Sequence, residues 1–375
     1  ATDSGRGDSG ISTVTVNGTA ASGGSATGTA TANWSATVAL TPGQNMITVV
    51  AKDGSPAQNS TTQVIKLTRG SSIMDFNGDG KADLLWRNYT TGENLVWYMN
   101  GVTKTGEAAL RTLPDVNWVF VGTGDLNGDG RTDILWRNYA TGQNLVWYMN
   151  GITWIGEASL TTVTDLNWRI VGTGDFNGDG KVDLLWRNTA TGQNRVWYMN
   201  GVTCTGEAFL TTITDQNWKI VGTGDFNGDG KVDLLWRNTA TGVNAVWYMN
   251  GVTWTAEAFL LTVADQNWKV AGTGDFNNDG KVDILWRNTA TGQNKVWYMN
   301  GVTGTGEAFL TTIDDQNWQI AGTGDYNGDG KVDLLWRNRV TGVNSVWYMD
   351  GVTWTGEAFL ITVADQNWKI AMGGQ

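Results

Sequence analysis

The chain repeats itself with a constant step of 50 residues from Ser71 to its C-terminal end. The segment "DFNGDGKVDLLWRN" at 175–188 recurs, with small changes, at positions 75, 125, 225, 275 and 325. In such an array each unit is one supersecondary structure that buries its apolar residues against its neighbours. The fold is therefore restricted to six similar units, arranged either as an open solenoid or as a ring.

Each unit has the pattern of four consecutive β-strands. In the third unit the strands are predicted at 168–175, 182–188, 194–200 and 202–212. They are joined by the acidic loop, by Thr-Ala-Thr-Gly and by Asn-Gly, a dipeptide that suits a two-residue hairpin. Four hairpin-linked strands in a unit of this length are typical of a β-propeller blade. The sequence therefore predicts an all-β protein.

The two ends of the array favour a closed ring over a solenoid. Only "SSIM" precedes Asp75, so the first unit lacks its first strand, whereas "NWKIAMGG" at 367–374 is left over after the sixth unit. A solenoid would instead tend to have polar, atypical terminal units. We therefore predict a six-bladed β-propeller at 70–375, with a blade period of 50 residues, closed by the C-terminal strand.

The region before the array has a different composition. Residues 1–10 predict a flexible tail, and 11–69 alternate apolar and small polar residues between turn signals, which predicts a small antiparallel β-sandwich. This region resembles bacterial immunoglobulin-like modules, which implies a spacer or stalk on a secreted protein. The resemblance is carried by Trp34, Val38, Leu40, Gly43, Asn45, Ile47, Val49, Ala51 and Asp53.

The acidic loop places oxygen donors at alternate positions. In the first copy these are Asp75, Asn77, Asp79, the carbonyl of Lys81, and Asp83. A hard cation that takes six to eight oxygens, Ca²⁺ rather than Mg²⁺ or zinc, fits this set. The sequence therefore predicts about six structural Ca²⁺ ions. The other predicted ligands are Asp125, Asn127, Asp129, Arg131, Asp133, Asp175, Asn177, Asp179, Lys181, Asp183, Asp225, Asn227, Asp229, Lys231, Asp233, Asp275, Asn277, Asp279, Lys281, Asp283, Asp325, Asn327, Asp329, Lys331 and Asp333.

The segment "VGTGDFNGDGKVDLLW" at 171–186 and its counterparts resemble the calcium-binding FG-GAP/VCBS repeats found in integrin α-subunit heads, some lectins and bacterial surface proteins. The resemblance implies a propeller with calcium in the hairpin between the first two strands of a blade. Many relatives have seven blades, so the count of six depends on the ends of this chain. An EF-hand would continue into a helix and carry a Glu at position twelve, but here the loop runs into the strand-like "VDLLWRN".

Composition excludes several classes of function. Acidic residues outnumber basic ones by 36 to 25, with no Lys/Arg cluster, which argues against nucleic-acid binding. No apolar run reaches the roughly 18 residues of a membrane-spanning helix, so no membrane insertion is expected. The chain has no His, so the usual general base is missing and Cys204 has no imidazole to activate it. We expect a protein that is not an enzyme, and a calcium-dependent enzyme is the less favoured alternative.

Every unit also repeats three Trp, one Arg and one Glu, at positions 86, 97, 118, 87 and 107 of the first unit. The interpretation that we favour is structural: the Trp fill the space between blades, and Arg pairs with Glu across them. The other is that they form six equivalent sugar sites. The residue set resembles that of six-bladed fungal fucose lectins, in composition only.

Two positions vary among the units. One of them is predicted to lie on the surface without a special role, at positions 95, 145, 195, 245, 295 and 345. Position 104 and its equivalents vary between Lys, Trp, Cys and Gly, which predicts exposure on the outermost strand of each blade. Exposed aromatic patches on alternate blades are candidate ligand-binding sites, although each Trp could instead cover its own blade edge. The candidate ligand-binding residues are Trp154, Trp254 and Trp354.

These inferences describe a secreted or surface-displayed bacterial protein, a non-catalytic module for adhesion or binding. Equivalent blades favour multivalent binding of a repetitive carbohydrate or of another cell-surface or matrix ligand. The alternative is a subunit of an extracellular fibre or matrix that self-associates into a homo-oligomer or filament through its Ig-like module and propeller. Arg6, Gly7 and Asp8 also match the tripeptide that integrins recognise.

Overall fold

The computed structural model describes residues 9–27, 31–36, 43–57, 59–69, 74–77, 79 and 81–371, without the side chains of 43–46 and 65–69. Within these ranges every regular element is a β-strand, and no helix could cross a membrane. The all-β prediction is therefore confirmed. The chain divides into two compact units, Ala1–Ser71 and Ser72–Gln375. Predictions that fall outside the described residues concern Arg6, Gly7, Asp8, Val38, Leu40 and 372–374.

The first unit contains a four-stranded antiparallel sheet in the order β2-β1-β3-β4. Its strands are β1 Ile11–Val16, β2 Thr19–Ala20, β3 Gly43–Asp53 and β4 Ser60–Arg69. Ile11, Val14 and Ala32 are buried together, with Trp34 packed against them. Two isolated bridges, Ile11 to Ala26 and Ser22 to Ser35, complete the pairing among the described residues. The immunoglobulin-like topology remains a prediction.

In its described residues the second unit contains six four-stranded antiparallel sheets, one for each repeat. The sheets of repeats 2 to 6 use four consecutive strands, in sequence order. These are β8 Trp118–Gly124, β9 Asp133–Asn138, β10 Asn144–Asn150 and β11 Thr153–Leu160; β12 Trp168–Gly174, β13 Asp183–Asn188, β14 Asn194–Asn200 and β15 Thr203–Leu210; β16 Trp218–Gly224, β17 Asp233–Asn238, β18 Asn244–Asn250 and β19 Thr253–Leu260; β20 Trp268–Gly274, β21 Asp283–Asn288, β22 Asn294–Asn300 and β23 Thr303–Leu310; β24 Trp318–Gly324, β25 Asp333–Asn338, β26 Asn344–Asp350 and β27 Thr353–Leu360.

The sheet of repeat 1 joins the beginning of the array to its end. It has the order β28-β5-β6-β7, from Trp368–Ile370, Leu84–Asn88, Asn94–Asn100 and Thr103–Leu110. Ile370 lies opposite Trp86 in the register, and the next amide, Ala371 N, donates to Leu85 O at 2.8 Å. The C-terminal strand therefore supplies the strand that repeat 1 lacks.

The core lies between neighbouring sheets, because each apolar cluster of this unit draws residues from two repeats. In one of them Leu185 and Val196 of repeat 3 pack with Trp236 of repeat 4. Another combines Trp86 of repeat 1 with Leu335 of repeat 6. Sheets that present apolar residues on both faces need such neighbours, and the second strand of repeats 2 to 6 is accordingly buried along its whole length.

The repeated Arg lies within this core rather than at the surface. Arg187 is 2% exposed, and its NH1 donates to Asn194 Oδ1 at 2.9 Å and to Gly192 O at 3.3 Å. Its guanidinium lies over the ring of Trp236 in the next repeat, 5.0 Å from the centroid. The same contact joins Arg337 of repeat 6 to Trp86 of repeat 1 at 5.0 Å. The predicted Arg–Glu pair is therefore wrong, because Arg binds backbone, amide and indole groups instead.

Candidate functional site

The acidic loop of repeat 3 runs from Asp175 to Asp183, between β12 and β13. Asp175 acts as the hub: its Oδ1 accepts hydrogen bonds from the amides of Gly178 and Asp179 at 2.7 and 3.1 Å, and its Oδ2 accepts from Gly180 N at 2.8 Å. Asn177 Oδ1 also accepts from Asp179 N, at 2.9 Å. The oxygens of Asp175 and Asn177 therefore converge on one amide.

The last carboxylate of the loop lies beneath it. Asp183 is 0% exposed, and its two oxygens accept separate backbone hydrogen bonds, from Phe176 N at 3.0 Å and from Met199 N at 2.8 Å. Burial raises the pKa of Asp183 to about 6, although the two amides act against this shift; the nearby carboxylates of Asp179 and Asp175 add to it. The side chain thus fastens the loop to the adjacent β14.

The donor set of the loop fits calcium by its chemistry, since carboxylate, amide and carbonyl oxygens alternate along it. The structure places Asp175, Asn177 and Asp179 together at the exposed tip, where their oxygens face the loop's own amides. Among the described residues no three His, Cys, Asp or Glu side chains are arranged as a metal-binding group. Gly80 of repeat 1, the equivalent of Gly180, lies outside the described residues.

A second kind of site is the groove between neighbouring repeats, which we number by the repeat that supplies its tryptophans. Groove 3 is lined on one side by residues 161–165, the segment that leaves repeat 2, and on the other by repeat 3. Groove 1 has the equivalent lining, with the segment that leaves repeat 6 facing repeat 1. The residues of repeat 3 that line groove 3 are Trp168, Arg195, Trp197, Cys204 and Glu207.

The three kinds of repeated Trp differ in burial. The Trp86 and Trp97 kinds are at most 6% exposed in every repeat, which supports their role in the core. The Trp118 kind is half-buried, except Trp168, which is buried. Trp154, Trp254 and Trp354 are 39%, 45% and 47% exposed, and they lie on the fourth strand of their sheets. These three take the strand position that Lys104 and Cys204 take in grooves 1 and 3, so they stand where a ligand could reach them. We number the equivalent junctions in the same way, as grooves 2, 4, 5 and 6.

The repeated Glu is exposed and faces the groove. Glu207 Oε2 accepts from Trp197 Nε1 at 3.1 Å and from Arg195 NH1 at 3.0 Å. Position 195 and its equivalents were expected to be plain surface, and this prediction is wrong. All six are buried or half-buried, and Ala245 and Ser345 are each only 1% exposed. The sequence contains a signal for this burial. Side chains alternate between the two faces of a strand, so position 95 lies on the same face as the buried Trp97.

The comparisons with known proteins bear on the repeat and the fold. A family model described as an FG-GAP-like repeat matches residues 75–136, 125–186, 175–236, 225–286 and 275–336, which together span most of the chain. The comparison with curated proteins finds no match to this chain.

Several solved structures are similar to the chain. A chain in the crystal structure of a nidogen/laminin complex is 14% identical, with a TM-score of 0.50, and the match covers 78% of this chain and 99% of that one. A quinonprotein alcohol dehydrogenase-like protein from Bacteroides thetaiotaomicron is 9% identical, with coverages of 97% and 91% and a TM-score of 0.43. Hsv2 from Kluyveromyces lactis is 9% identical, with coverages of 71% and 74% and a TM-score of 0.36.

Five overlapping family matches coincide with the observed four-stranded repeats, and the nidogen/laminin likeness supports the fold. The chain belongs to the family of FG-GAP-like repeat proteins, and its repeats are those of a β-propeller.

Proposed function

We propose that this chain is an extracellular, non-catalytic binding module. In this proposal it is a six-bladed propeller, held closed by its C-terminal strand and by about six calcium ions, that binds carbohydrate at several sites at once. The observation that carries the binding role is a groove of the same build at two junctions, grooves 1 and 3, whose lining Trp and Glu recur in every repeat. Repeated weak sites favour a repetitive ligand, because each bound site raises the effective concentration at the next.

Contacts between the two ends of the array support the closed ring. Besides the pairing of β28 with β5, Asn88 Nδ2 of repeat 1 donates to Asp365 Oδ2 at 3.0 Å. The equivalent bond within the array joins Asn188 Nδ2 to Asp165 Oδ2 at 2.7 Å. The junction between the last and the first repeat therefore uses the contacts of every other junction.

Charge and chemistry support the calcium. The six loops contain 18 of the 29 Asp of the chain, three in each loop, and crowded carboxylates repel one another without a cation. Six Ca²⁺ would bring twelve positive charges against a formal net charge of −11. The ligands would be the side chains of Asp175, Asn177, Asp179 and Asp183 with the carbonyl of Lys181, and their equivalents. In this role calcium would neutralise the charge of the carboxylates and would take part in no reaction.

The grooves support a carbohydrate ligand. Sugars present one apolar face and a rim of hydroxyls, which match an exposed indole beside a carboxylate. Trp254 and Glu257 provide that combination in groove 4, and Trp354 and Glu357 provide it in groove 6. The deeper Trp247 and Trp347 fix the Glu by donating to it, at 3.2 and 3.3 Å.

Thermal unfolding with and without a chelator tests the calcium. If the dissociation constant of each site is about tenfold below the ambient calcium concentration, calcium stabilises the fold by about 1.4 kcal/mol per site, or about 8 kcal/mol over six sites. We expect a large fall in the melting temperature with chelator and recovery when calcium, but not magnesium, is added back. A melt that the chelator leaves unchanged would contradict the proposal.

A glycan array, run with calcium and with chelator, tests the binding role. We expect saturable binding that requires calcium and that weakens in the W254A/W354A variant. The matched control is C204A, which changes the same strand position in groove 3 without removing an indole. Array signal that is absent, or equal in all variants, would contradict carbohydrate binding at these grooves.

A structural fibre subunit remains the second candidate, and one observation favours it. Four phenylalanines at one equivalent position of the fourth strand are 56% to 64% exposed, and exposed apolar residues of this size favour association. They are Phe209, Phe259, Phe309 and Phe359. Filaments seen by electron microscopy, together with a silent glycan array, would support this candidate instead.

A further inference from the structure

In four of the six grooves the chain places one of its own cations on the tryptophans and against the repeated Glu. Groove 3 is the clearest case, with Arg195 at 4.3 Å from the Trp168 ring centroid and 3.0 Å from Glu207 Oε2. In groove 5 Lys295 lies 5.0 Å from the Trp268 centroid and 2.8 Å from Glu307 Oε2. The groove therefore accommodates an ammonium or a guanidinium group.

The other two grooves of this kind obtain their cation from different positions. Groove 1 uses Lys104, from the fourth strand, which lies 4.7 Å from the Trp97 centroid and pairs with Glu107 at 2.5 Å. Groove 2 uses Arg111, from the segment that leaves repeat 1. Three different sequence positions thus bring a cation to the repeated Glu and to the face of an indole beside it, which is of the Trp97 kind in grooves 1, 3 and 5 and is Trp154 in groove 2. The place itself, an indole face next to a carboxylate, is what attracts the cation.

Groove 2 shows the arrangement that the exposed Trp makes. Arg111 pairs with Glu157 at 2.7 Å, and its guanidinium lies 4.9 Å from the ring centroid of Trp154. Glu157 is engaged by Arg111. The indole Nε1 of Trp147, whose equivalents in repeats 3 to 6 donate to the Glu, has no hydrogen-bond partner among the described residues. The cation is thus the preferred partner of the carboxylate in this groove.

Grooves 4 and 6 have the Trp and Glu of groove 2 but not its arginine. The position of Arg111 is taken by the exposed Thr211 in groove 4 and by Thr311 in groove 6. Among the described residues, Glu257 and Glu357 each accept one indole N–H, on Oε1, and no Lys or Arg pairs with either. Each of these carboxylates therefore has a second oxygen, Oε2, that faces solvent beside an exposed Trp.

We propose that grooves 4 and 6 bind the protonated amine of an amino sugar, in the place that Arg111 occupies in groove 2. The ammonium would pair with Glu257 or Glu357, and the sugar ring would lie on Trp254 or Trp354. An N-acetylated sugar has no charge to offer the carboxylate. This inference rests on the proposed carbohydrate function and narrows the ligand to sugars with a free amine.

The test is calorimetric titration at about pH 6, where a primary amine is protonated, with calcium present. The probes are a glucosamine tetramer and an N-acetylglucosamine tetramer. We expect the first to bind at two sites per chain and at least tenfold more tightly than the second. The T211R/T311R variant copies groove 2 into both open grooves and should abolish this binding. T161R is the matched control, because groove 3 already holds Arg195, and it should bind as the wild type does.

A gain-of-function variant completes the design. R111T should open groove 2 and raise the number of sites from two to three, whereas R111K should leave it at two. Melting temperatures identify any variant that is misfolded. Equal affinity for the two tetramers would overturn the inference and leave the carbohydrate function standing. Binding of the free-amine tetramer that persists in T211R/T311R would overturn it also, and so would binding of an arginine amide with no binding of either tetramer. If neither tetramer nor any glycan on the array binds, the proposed carbohydrate function itself fails.

Discussion

Two glycines with the same backbone conformation differ sharply in what surrounds them, and this difference predicts unequal effects of one substitution. Gly192, in the turn between β13 and β14, has φ +78°, and a Cβ there would lie 1.8 Å from Ile213 O. Gly178, in the acidic loop, has φ +79°, with nothing within 4 Å of a Cβ. In repeat 5 the position of Gly178 is taken by Asn278, with φ 61°. Asparagine is therefore compatible with the loop.

The expected costs follow from these surroundings. Gly178→Asn should lower the free energy of unfolding by less than about 1 kcal/mol, because Asn adopts the left-handed region readily. Gly192→Asn must also displace the carbonyl of Ile213, which accepts from Arg187 NH2 at 3.4 Å. It must disturb the bond from Ile213 N to Gly192 O at 3.0 Å as well. Each of these two bonds, once broken, leaves a buried polar group without a partner at a cost of about 1–3 kcal/mol, so we expect a loss of about 2–6 kcal/mol.

Urea denaturation followed by tryptophan fluorescence measures both variants against the wild type. The series is run with saturating calcium and again with chelator, because Gly178 lies in an acidic loop and an effect on calcium would appear only in the first series. Similar losses in both variants, or a Gly192→Asn variant within about 1 kcal/mol of the wild type, would refute the packing described for this turn.

Two further predictions concern the pairing of the C-terminal strand with repeat 1 and the Asp that caps each junction. Ending the chain at Asn367 removes β28, and with it the partner of Trp86 and the bond to Leu85 O. We expect a loss of about 5 kcal/mol from a few hydrogen bonds and two partly buried apolar side chains, read from the urea midpoint. An unchanged midpoint would show that the first repeat does not need this strand. Hydrogen bonds from Asn167 and Asn188 hold the pKa of Asp165 below its usual 3.8, so its contribution to stability is complete above that pH and is lost as the pH falls through the folded-state pKa. The difference in midpoint between the wild type and D165N should therefore be constant above about pH 5 and shrink below about pH 4, whereas a difference that grows with acid would contradict this assignment.

The sequence by itself determined the repeating unit, its four strands and the pairing of the C-terminal strand with the first repeat. Each of these depends on local information: strand periodicity, turn dipeptides such as Asn200-Gly201, and the strand missing at one end and spare at the other. The burial of Trp86 and Trp97 also follows from a repeat that must fill the space between sheets. The donor pattern of the acidic loops, too, can be read from spacing alone.

Only the tertiary structure decided what the repeated polar residues do. Arg187 was indistinguishable in sequence from a surface ligand, yet it lies buried over Trp236 of the next repeat. Likewise, Arg111 meets Trp154 and Glu157 across more than 40 positions of the chain. Such contacts depend on how one sheet docks against the next, which no local pattern encodes. For this reason the difference between an occupied groove and an open one appears only when the neighbouring repeats are in place.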